Sequence, residues 1–236
     1  MDLPNASDHT LPCRPTISCT ADFATPGTLE LEAGGLASRA ENQTQTTSFP
    51  FLLKLTLSKM FQAQIGSNGG TFVRGVARAD FFDDLDLGVK LHLADQSRYA
   101  PSFAVTALVG VPSSSYSRAS AFVTLHASKD FGPIHADANG GVAEIGIDVT
   151  PAAQPFASLA LSTSVTSLVG VALETYYFGD AAPFASNDGG FRFVATLAAK
   201  PWLVFDAGGD VGYFPSVRAF SAFVGMTVVP AVLWRK

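Results

Sequence analysis

The sequence predicts an all-β protein: a closed, antiparallel, up-and-down transmembrane β-barrel of about twelve strands. The chain has 236 residues, of which 47% are hydrophobic and only 15% are charged, whereas an ordinary soluble domain is about 25% charged. No run of roughly 18 apolar residues could span a membrane as a helix. Instead, apolar residues alternate with small or polar ones in short segments divided by Gly, Pro, Asn, Asp and Ser, which is the pattern of β-strands.

The alternation locates the strands one after another. In residues 84–93, for example, the leucines and the valine occupy the odd positions, and Asp, Gly, Lys and His occupy the even ones. Most segments are near ten residues long, and a tilted membrane-spanning strand needs about 9–11 residues. The predicted strands, in order, are 28–37, 48–58, 60–66, 83–93, 102–111, 121–130, 133–143, 156–165, 168–178, 190–199, 202–213 and 219–229.

The connections between these strands are sorted by length. Short links such as 131–132 and 166–167 alternate with long ones such as 38–47 and 144–155. Outer-membrane barrels have short periplasmic turns and long extracellular loops, and a sheet in lipid must close to satisfy its backbone. We therefore predict a bacterial outer-membrane location, with membrane lipid around the barrel, although no signal peptide is visible in the sequence.

The N-terminal residues differ from the rest. Residues 1–26 are rich in Pro, Ser and Thr and have no hydrophobic period, which predicts a flexible periplasmic extension before a barrel of residues 27–236. Cys13 and Cys19 are the only cysteines, and the sequence leaves open whether they form a disulfide or remain two free thiols. Four ligands for a zinc ion are not present nearby, so neither a metal nor another cofactor is predicted.

The charged strand residues fall on the parity opposite to the apolar face, and this parity predicts that they face the lumen. They suggest a narrow pore that passes small-molecule solutes. The alternative is a structural barrel whose lumen is blocked by residues 1–26 or by side chains. A net charge of −5 without a basic stripe argues against a nucleic-acid partner, and the sequence does not define an oligomeric state. The predicted pore-lining residues are Glu30, Lys54, Asp86, Lys90, Glu174, Arg192 and Asp206.

Two arrangements of histidine residues are considered as possible chemical sites, a hydrolase and a metal site. His126 and Ser128 share one face of a strand, and a hydrolase would need an acid such as Asp137 to orient the histidine. This weak alternative stands beside the prediction that the protein is not an enzyme. His92, His126 and His135 also share the lumen parity, but they lie on different strands, and a polar lining is favoured over a metal site.

Several motifs, in their order along the chain, resemble a known family. They are the run 49–66, the segment 84–90, Val111-Pro112, Asp130-Phe131-Gly132, 174–177 and 188–191. Together they resemble the phenol-degradation MetA-pathway outer-membrane family over residues 27 to about 228. This resemblance implies an outer-membrane barrel that acts as a transporter, and it suggests aromatic or other apolar compounds as substrates. It supplies no catalytic residues.

Overall fold

The wall of the molecule is one antiparallel sheet that closes on itself. The computed structural model of the protein describes residues 10–13, 16–42, 44–74, 78–80, 84–113 and 118–234. No helix in these ranges is long and apolar enough to cross a membrane. The strands are β1 (Thr28–Arg39), β2 (Gln45–Ser48), β3 (Phe51–Ser58), β4 (Phe61–Ser67), β5 (Thr71–Val73), β6 (Arg78–Asp80), β7 (Asp84–Ala94), β8 (Ser102–Pro112), β9 (Ser120–Phe131), β10 (Ile134–Ile145), β11 (Ala152–Ser164), β12 (Val169–Phe178), β13 (Asp188–Lys200), β14 (Leu203–Gly212) and β15 (Phe220–Val232).

Twelve of these described strands, all except β2, β5 and β6, follow one another around the barrel. The circle closes where β15 pairs with β1, with Gly34 opposite Gly225. The short strands β2, β5 and β6 pair with one another and with β1, and they prolong the wall at one end. The predicted fold and its twelve strands are confirmed. The short strands were not predicted, because three or four residues are too few to show an alternation.

The largest boundary error concerns β11, which starts at Ala152 rather than at residue 156. Pro155 was expected to end the connection before this strand. Its carbonyl oxygen accepts a hydrogen bond from the amide of Gly179 (2.7 Å), so its ring nitrogen faces the same side. That side lies beyond the last pair with β12, Phe156 opposite Phe178. A missing N–H is tolerated there because the carbonyl of Gly179, which lies opposite, accepts a hydrogen bond from the side-chain amide of Gln154 instead (2.9 Å).

The two ends of the barrel differ in their connections. At the short-turn end, hairpins such as the Gly132-Pro133 link join neighbouring strands, and Gly132 has the positive φ of 65° that a tight turn favours. Thr28 of β1 and Val232 of β15 also lie at this end. The long-loop end carries the remaining connections and the short strands β2, β5 and β6. The predicted sorting of connections by length is present in the structure.

The barrel is apolar outside and polar inside. On its outer face, Leu125 is 50% exposed and Leu173 is 63% exposed, whereas inward-facing Glu32 and Lys54 are 0% and 2% exposed. A protein surrounded by water would invert this distribution, because burial of a charge costs free energy and a leucine exposed to water gives up the favourable free energy of its own burial. The outer face is therefore built to contact lipid.

We predict that a charge at the middle of the lipid-facing surface destabilises the barrel. Leu125 lies midway along β9, so Leu125→Arg should cost about 2–4 kcal/mol of unfolding free energy. Leu93 also faces outward but lies near the short-turn end of β7, where Leu93→Arg should cost only about 0–1 kcal/mol. Urea titration of the barrel folded in lipid vesicles measures both values, and equal losses would contradict the proposed membrane position.

Candidate functional site

A segment of the N-terminal extension lies inside the lumen. We call residues 10–13 and 16–26 the plug. It starts near the short-turn end, where the amide of Thr10 bonds to the carbonyl of Pro201 (3.1 Å), and it returns there, where the amide of Gly27 bonds to Thr56 (2.7 Å). Between these points it rises far enough to reach Glu174, in the middle of β12. Cys13 and Cys19 are joined by a disulfide.

The described part of residues 1–26 lies in the lumen, as in the alternative of a blocked barrel, and not in the periplasm as a flexible extension. Residues 1–9, 14 and 15 lie outside the described part of the chain, but Ser18 and Ala21 are only 2% and 0% exposed. A segment without a hydrophobic period gives no signal that it will be buried. Its burial depends on hydrogen bonds between its backbone and the lumen wall, and such bonds leave no pattern in the sequence of the segment itself.

Carboxylates of the wall bind amide groups of the plug. Glu30 accepts a hydrogen bond from the amide of Leu11 (2.8 Å), and Glu32 accepts one from the amide of Cys13 (2.9 Å). Glu174 accepts two, from Ile17 (2.9 Å) and Ser18 (2.5 Å). Hydrogen bonds to charged groups are worth about 1.5–3 kcal/mol each, so these three side chains hold the ascending arm and the tip of the plug.

Cationic side chains of the wall bind carbonyl groups of the plug in the same way. Lys54 donates to the carbonyl of Leu11 (2.7 Å) and also forms salt bridges with Glu30 (3.3 Å) and Glu32 (2.6 Å). Lys90 donates to the carbonyl of Thr20. The wall therefore recognises peptide backbone, with carboxylates on N–H groups and ammonium groups on C=O groups.

Neutral side chains complete the contact. Asn139 accepts a hydrogen bond from the amide of Cys19 (2.7 Å) and donates one to the carbonyl of the same residue (3.0 Å). The hydroxyl of Ser18 donates to the hydroxyl of Ser158 (2.8 Å). The sequence analysis did not single out Asn139 or Ser158, because an uncharged polar residue at inward parity looks like any other part of a polar lining.

Arg192 links the plug site to a network of charges on the neighbouring strands. Its guanidinium lies 3.6 Å from Glu174 and 3.0 Å from Asp210, and 5.2 Å from the ring centroid of Tyr176. Arg218 pairs with Asp188 beside it. Glu174 thus binds the plug and the wall network at once, and this double contact fixes its carboxylate at mid-height in the lumen.

All seven predicted pore-lining residues face inward. Four of them, Glu30, Lys54, Lys90 and Glu174, contact the plug rather than an open channel. Arg192 belongs to the charge network, and Asp206 and Asp86 lie on the inward faces of β14 and β7. The carboxylate of Asp86 has one buried oxygen without a hydrogen-bond partner among the described residues.

Inward-facing apolar side chains lie above the plug, toward the long-loop end, on seven of the twelve described barrel strands, and we call them the apolar belt. On β3 and β12 the inward position next above the plug contact is apolar or aromatic: Leu52 lies above Lys54, and Tyr176 lies above Glu174. Inside the barrel, Phe223 packs in one cluster with Leu36, and Phe156 stacks on Phe178 at 5.6 Å. The belt consists of Leu36, Leu52, Leu108, Phe122, Phe156, Tyr176 and Phe223.

The belt was not expected, because the alternation predicts a lumen face of small and polar residues only. The sequence nevertheless contains a signal for the belt. Where an inward position is also apolar, the alternation breaks into a run of consecutive apolar residues, as in Phe51-Leu52-Leu53 and Tyr176-Tyr177-Phe178. Such a run indicates a strand with two apolar faces, one toward lipid and one toward the lumen.

The geometry does not support a hydrolytic pair of His126 and Ser128. The ring nitrogens of His126 contact Thr106 (2.8 Å), Asn139 (3.0 Å) and the carbonyl of Cys19 (3.2 Å). The hydroxyl of Ser128 donates to Asp137 (2.5 Å) and accepts from the amide of Ala21. The His126 ring is thus occupied by other partners, and a nucleophile needs its base within hydrogen-bond reach. Within the described ranges, no group of His, Cys, Asp or Glu side chains could hold a metal ion.

Comparison with solved structures places the fold among outer-membrane barrels. The NanC porin is similar with a TM-score of 0.57 and 12% identity, covering 85% of this chain and 98% of that one. An outer-membrane channel from Pseudomonas putida F1 gives 0.62 and 13%, covering 96% and 99%. The KdgM porin gives 0.54 and 8%, covering 84% and 98%. No family model matches the chain and no curated protein matches it, so the resemblance to the MetA-pathway family stays a prediction.

We predict that the plug can be cross-linked to the wall at one position. The hydroxyls of Ser18 and Ser158 are 2.8 Å apart, so Ser18→Cys with Ser158→Cys, in a chain carrying Cys13→Ser and Cys19→Ser, should form a disulfide in nearly every molecule. Ser162 faces inward on the same strand but lies about 13 Å further along it, so Ser18→Cys with Ser162→Cys should not.

Mass spectrometry of the folded protein after thiol alkylation measures the bridged fraction of each pair. Equal bridging in the two pairs would contradict the depth at which the structure places the tip of the plug.

Proposed function

We propose that the protein resides in a bacterial outer membrane and passes small apolar or aromatic molecules across it. The apolar belt is the observation that carries this proposal. Aliphatic and aromatic side chains in a lumen disfavour the passage of hydrated ions, because an apolar constriction tends to dewet. Such side chains do match the lining of sites for small apolar ligands, which are mainly apolar with a few polar groups.

In the proposed orientation, the belt lies in the half of the lumen that opens toward the cell exterior. Outer-membrane barrels have their short turns in the periplasm and their long loops outside. With that orientation, the long-loop end admits a molecule to the belt, and the plug stands between the belt and the periplasm. The fold that the chain shares with porins and channels supports the location and the transport role.

The polar groups within the belt suggest which apolar molecules fit best. Tyr176 is 2% exposed, and its hydroxyl has no hydrogen-bond partner among the described residues. Asp86, on the inward face of β7, has one buried oxygen with no hydrogen-bond partner in the described part of the chain. Buried polar groups without partners are rare in proteins. A ring compound that carries a hydroxyl group would supply one.

We expect a charge in the belt to block uptake. Phe122 faces inward on β9, and Ser120 is the previous inward residue on the same strand, nearer the long loops. Phe122→Asp should slow uptake of the apolar dye N-phenyl-1-naphthylamine roughly tenfold, because a carboxylate in an apolar constriction is costly to pass. Ser120→Asp, with the same charge outside the belt, should leave the rate within about twofold.

The dye fluoresces when it passes the outer membrane, so intact Gram-negative cells that produce each variant at equal levels report the rates. Uptake no faster than in cells without the protein would contradict the proposal, as would equal rates for the two variants.

The plug favours one other candidate, a structural barrel with an occluded lumen. The plug hydrogen-bonds to β1, β3, β7, β9, β10, β11 and β12, so it crosses much of the short-turn half of the lumen. Uptake of the apolar dye separates the two candidates, because the belt disfavours ions in either case. A transport barrel should admit the dye faster than cells without the protein do, and uptake at that background rate both with and without residues 1–26 would support the structural role.

A further inference from the structure

We propose that a molecule leaves the belt toward the periplasm through a side passage between the plug and the wall, while the plug stays in place. This inference rests on the proposed function. A cavity of about 290 Å³ occupies this position. Pro12 and Thr16 of the plug line one side of it, and the inward faces of β10 to β13 line the other.

Small side chains create the space. On β11 and β12, the inward positions between the short turns and the plug contacts at Ser158 and Glu174 are Ala160, Ser162, Gly170 and Ala172. Above those contacts, the inward positions on the same two strands are large aromatic residues of the belt. The small side chains leave a space between this part of the wall and Pro12 and Thr16 of the plug.

The cavity extends from the short-turn end to the underside of the belt. Pro133, in the turn between β9 and β10, and Ser164, the last residue of β11, lie at its lower end. Ala172 and Val194 lie at its upper end, and these two residues pack against Phe223 of the belt. At this apolar contact the upper end of the cavity adjoins the belt.

The size and the lining of the cavity fit the molecules that the belt would accept. A dry cavity of about 150 Å³ holds a benzene molecule, so 290 Å³ is enough for a compound with one or two rings. Near the belt the lining is apolar, with Val194 and Ala172, and near the turns it includes His135, Asp137 and Thr196. A molecule that moves down the passage thus meets an increasingly polar surface, which favours its release into water.

The charged contacts at Glu30, Lys54 and Lys90 leave this passage free, whereas Glu174 on β12 holds the tip of the plug at the inward position next above Ala172. Glu30, Lys54 and Lys90 hold the plug on β1, β3 and β7, and these strands do not line the cavity. Passage along β10 to β13 therefore breaks none of these charged hydrogen bonds. Displacement of the whole plug would break them all.

The Ser18–Ser158 cysteine pair tests the passage, because its disulfide fixes the plug in the lumen. Cells that produce this variant should take up N-phenyl-1-naphthylamine at the same rate, within about twofold, before and after treatment with dithiothreitol. In the cross-linked barrel, Ala172→Phe should slow uptake roughly tenfold, because the phenyl ring fills the cavity. Leu173→Phe places the same ring on the lipid face of the same strand and should have no effect.

The folding of each variant is checked by its heat-dependent mobility on gels, and Ala160→Phe fills the same cavity if Ala172→Phe does not fold. Uptake that stops on cross-linking and returns on reduction would overturn the passage, because the plug would then have to leave. Equal uptake with Ala172→Phe and Leu173→Phe would also overturn it. Absence of uptake through the unmodified protein would instead contradict the proposed function.

Discussion

The hydrogen bonds between charged lumen side chains and the backbone of the plug are the interaction on which the rest of the structure depends. A barrel in lipid must direct its polar residues inward, where an unpaired charge is costly. Glu30, Lys54, Glu174 and Lys90 are almost completely buried, and each is bonded to the plug backbone. Because the wall contacts N–H and C=O groups, most plug side chains are free to vary without loss of these bonds.

This interaction divides the lumen into two halves with different properties. The short-turn half is charged and occupied by the plug, whereas the long-loop half begins with the apolar belt. Glu174 and Tyr176 occupy neighbouring inward positions on β12, so the boundary between the halves is one side chain wide. Arg192 spans this boundary, since it pairs with Glu174 and lies over the ring of Tyr176. A molecule in the belt would therefore contact the same charge network that the tip of the plug contacts.

The fold could be predicted from the sequence because apolar residues alternate with small or polar ones along the strands of the wall. Alternation located all twelve strands and placed the seven charged candidates on the inward face. The lumen contents could not be predicted in the same way. The plug is held through its backbone by Asn139 and the carboxylates, and a backbone contact has no sequence signature. The apolar belt was readable in principle, since Tyr176-Tyr177-Phe178 is apolar on both faces, but a rule that seeks alternation passes over such runs.

Amide hydrogen exchange in the folded, membrane-embedded protein tests the capture of the plug backbone most directly. The account predicts that the amides of Leu11, Cys13, Ile17, Ser18, Cys19 and Ala21 exchange slowly, because each donates to a wall side chain. Exchange of these amides at the rate of an unstructured peptide, with the barrel strands fully protected, would contradict it.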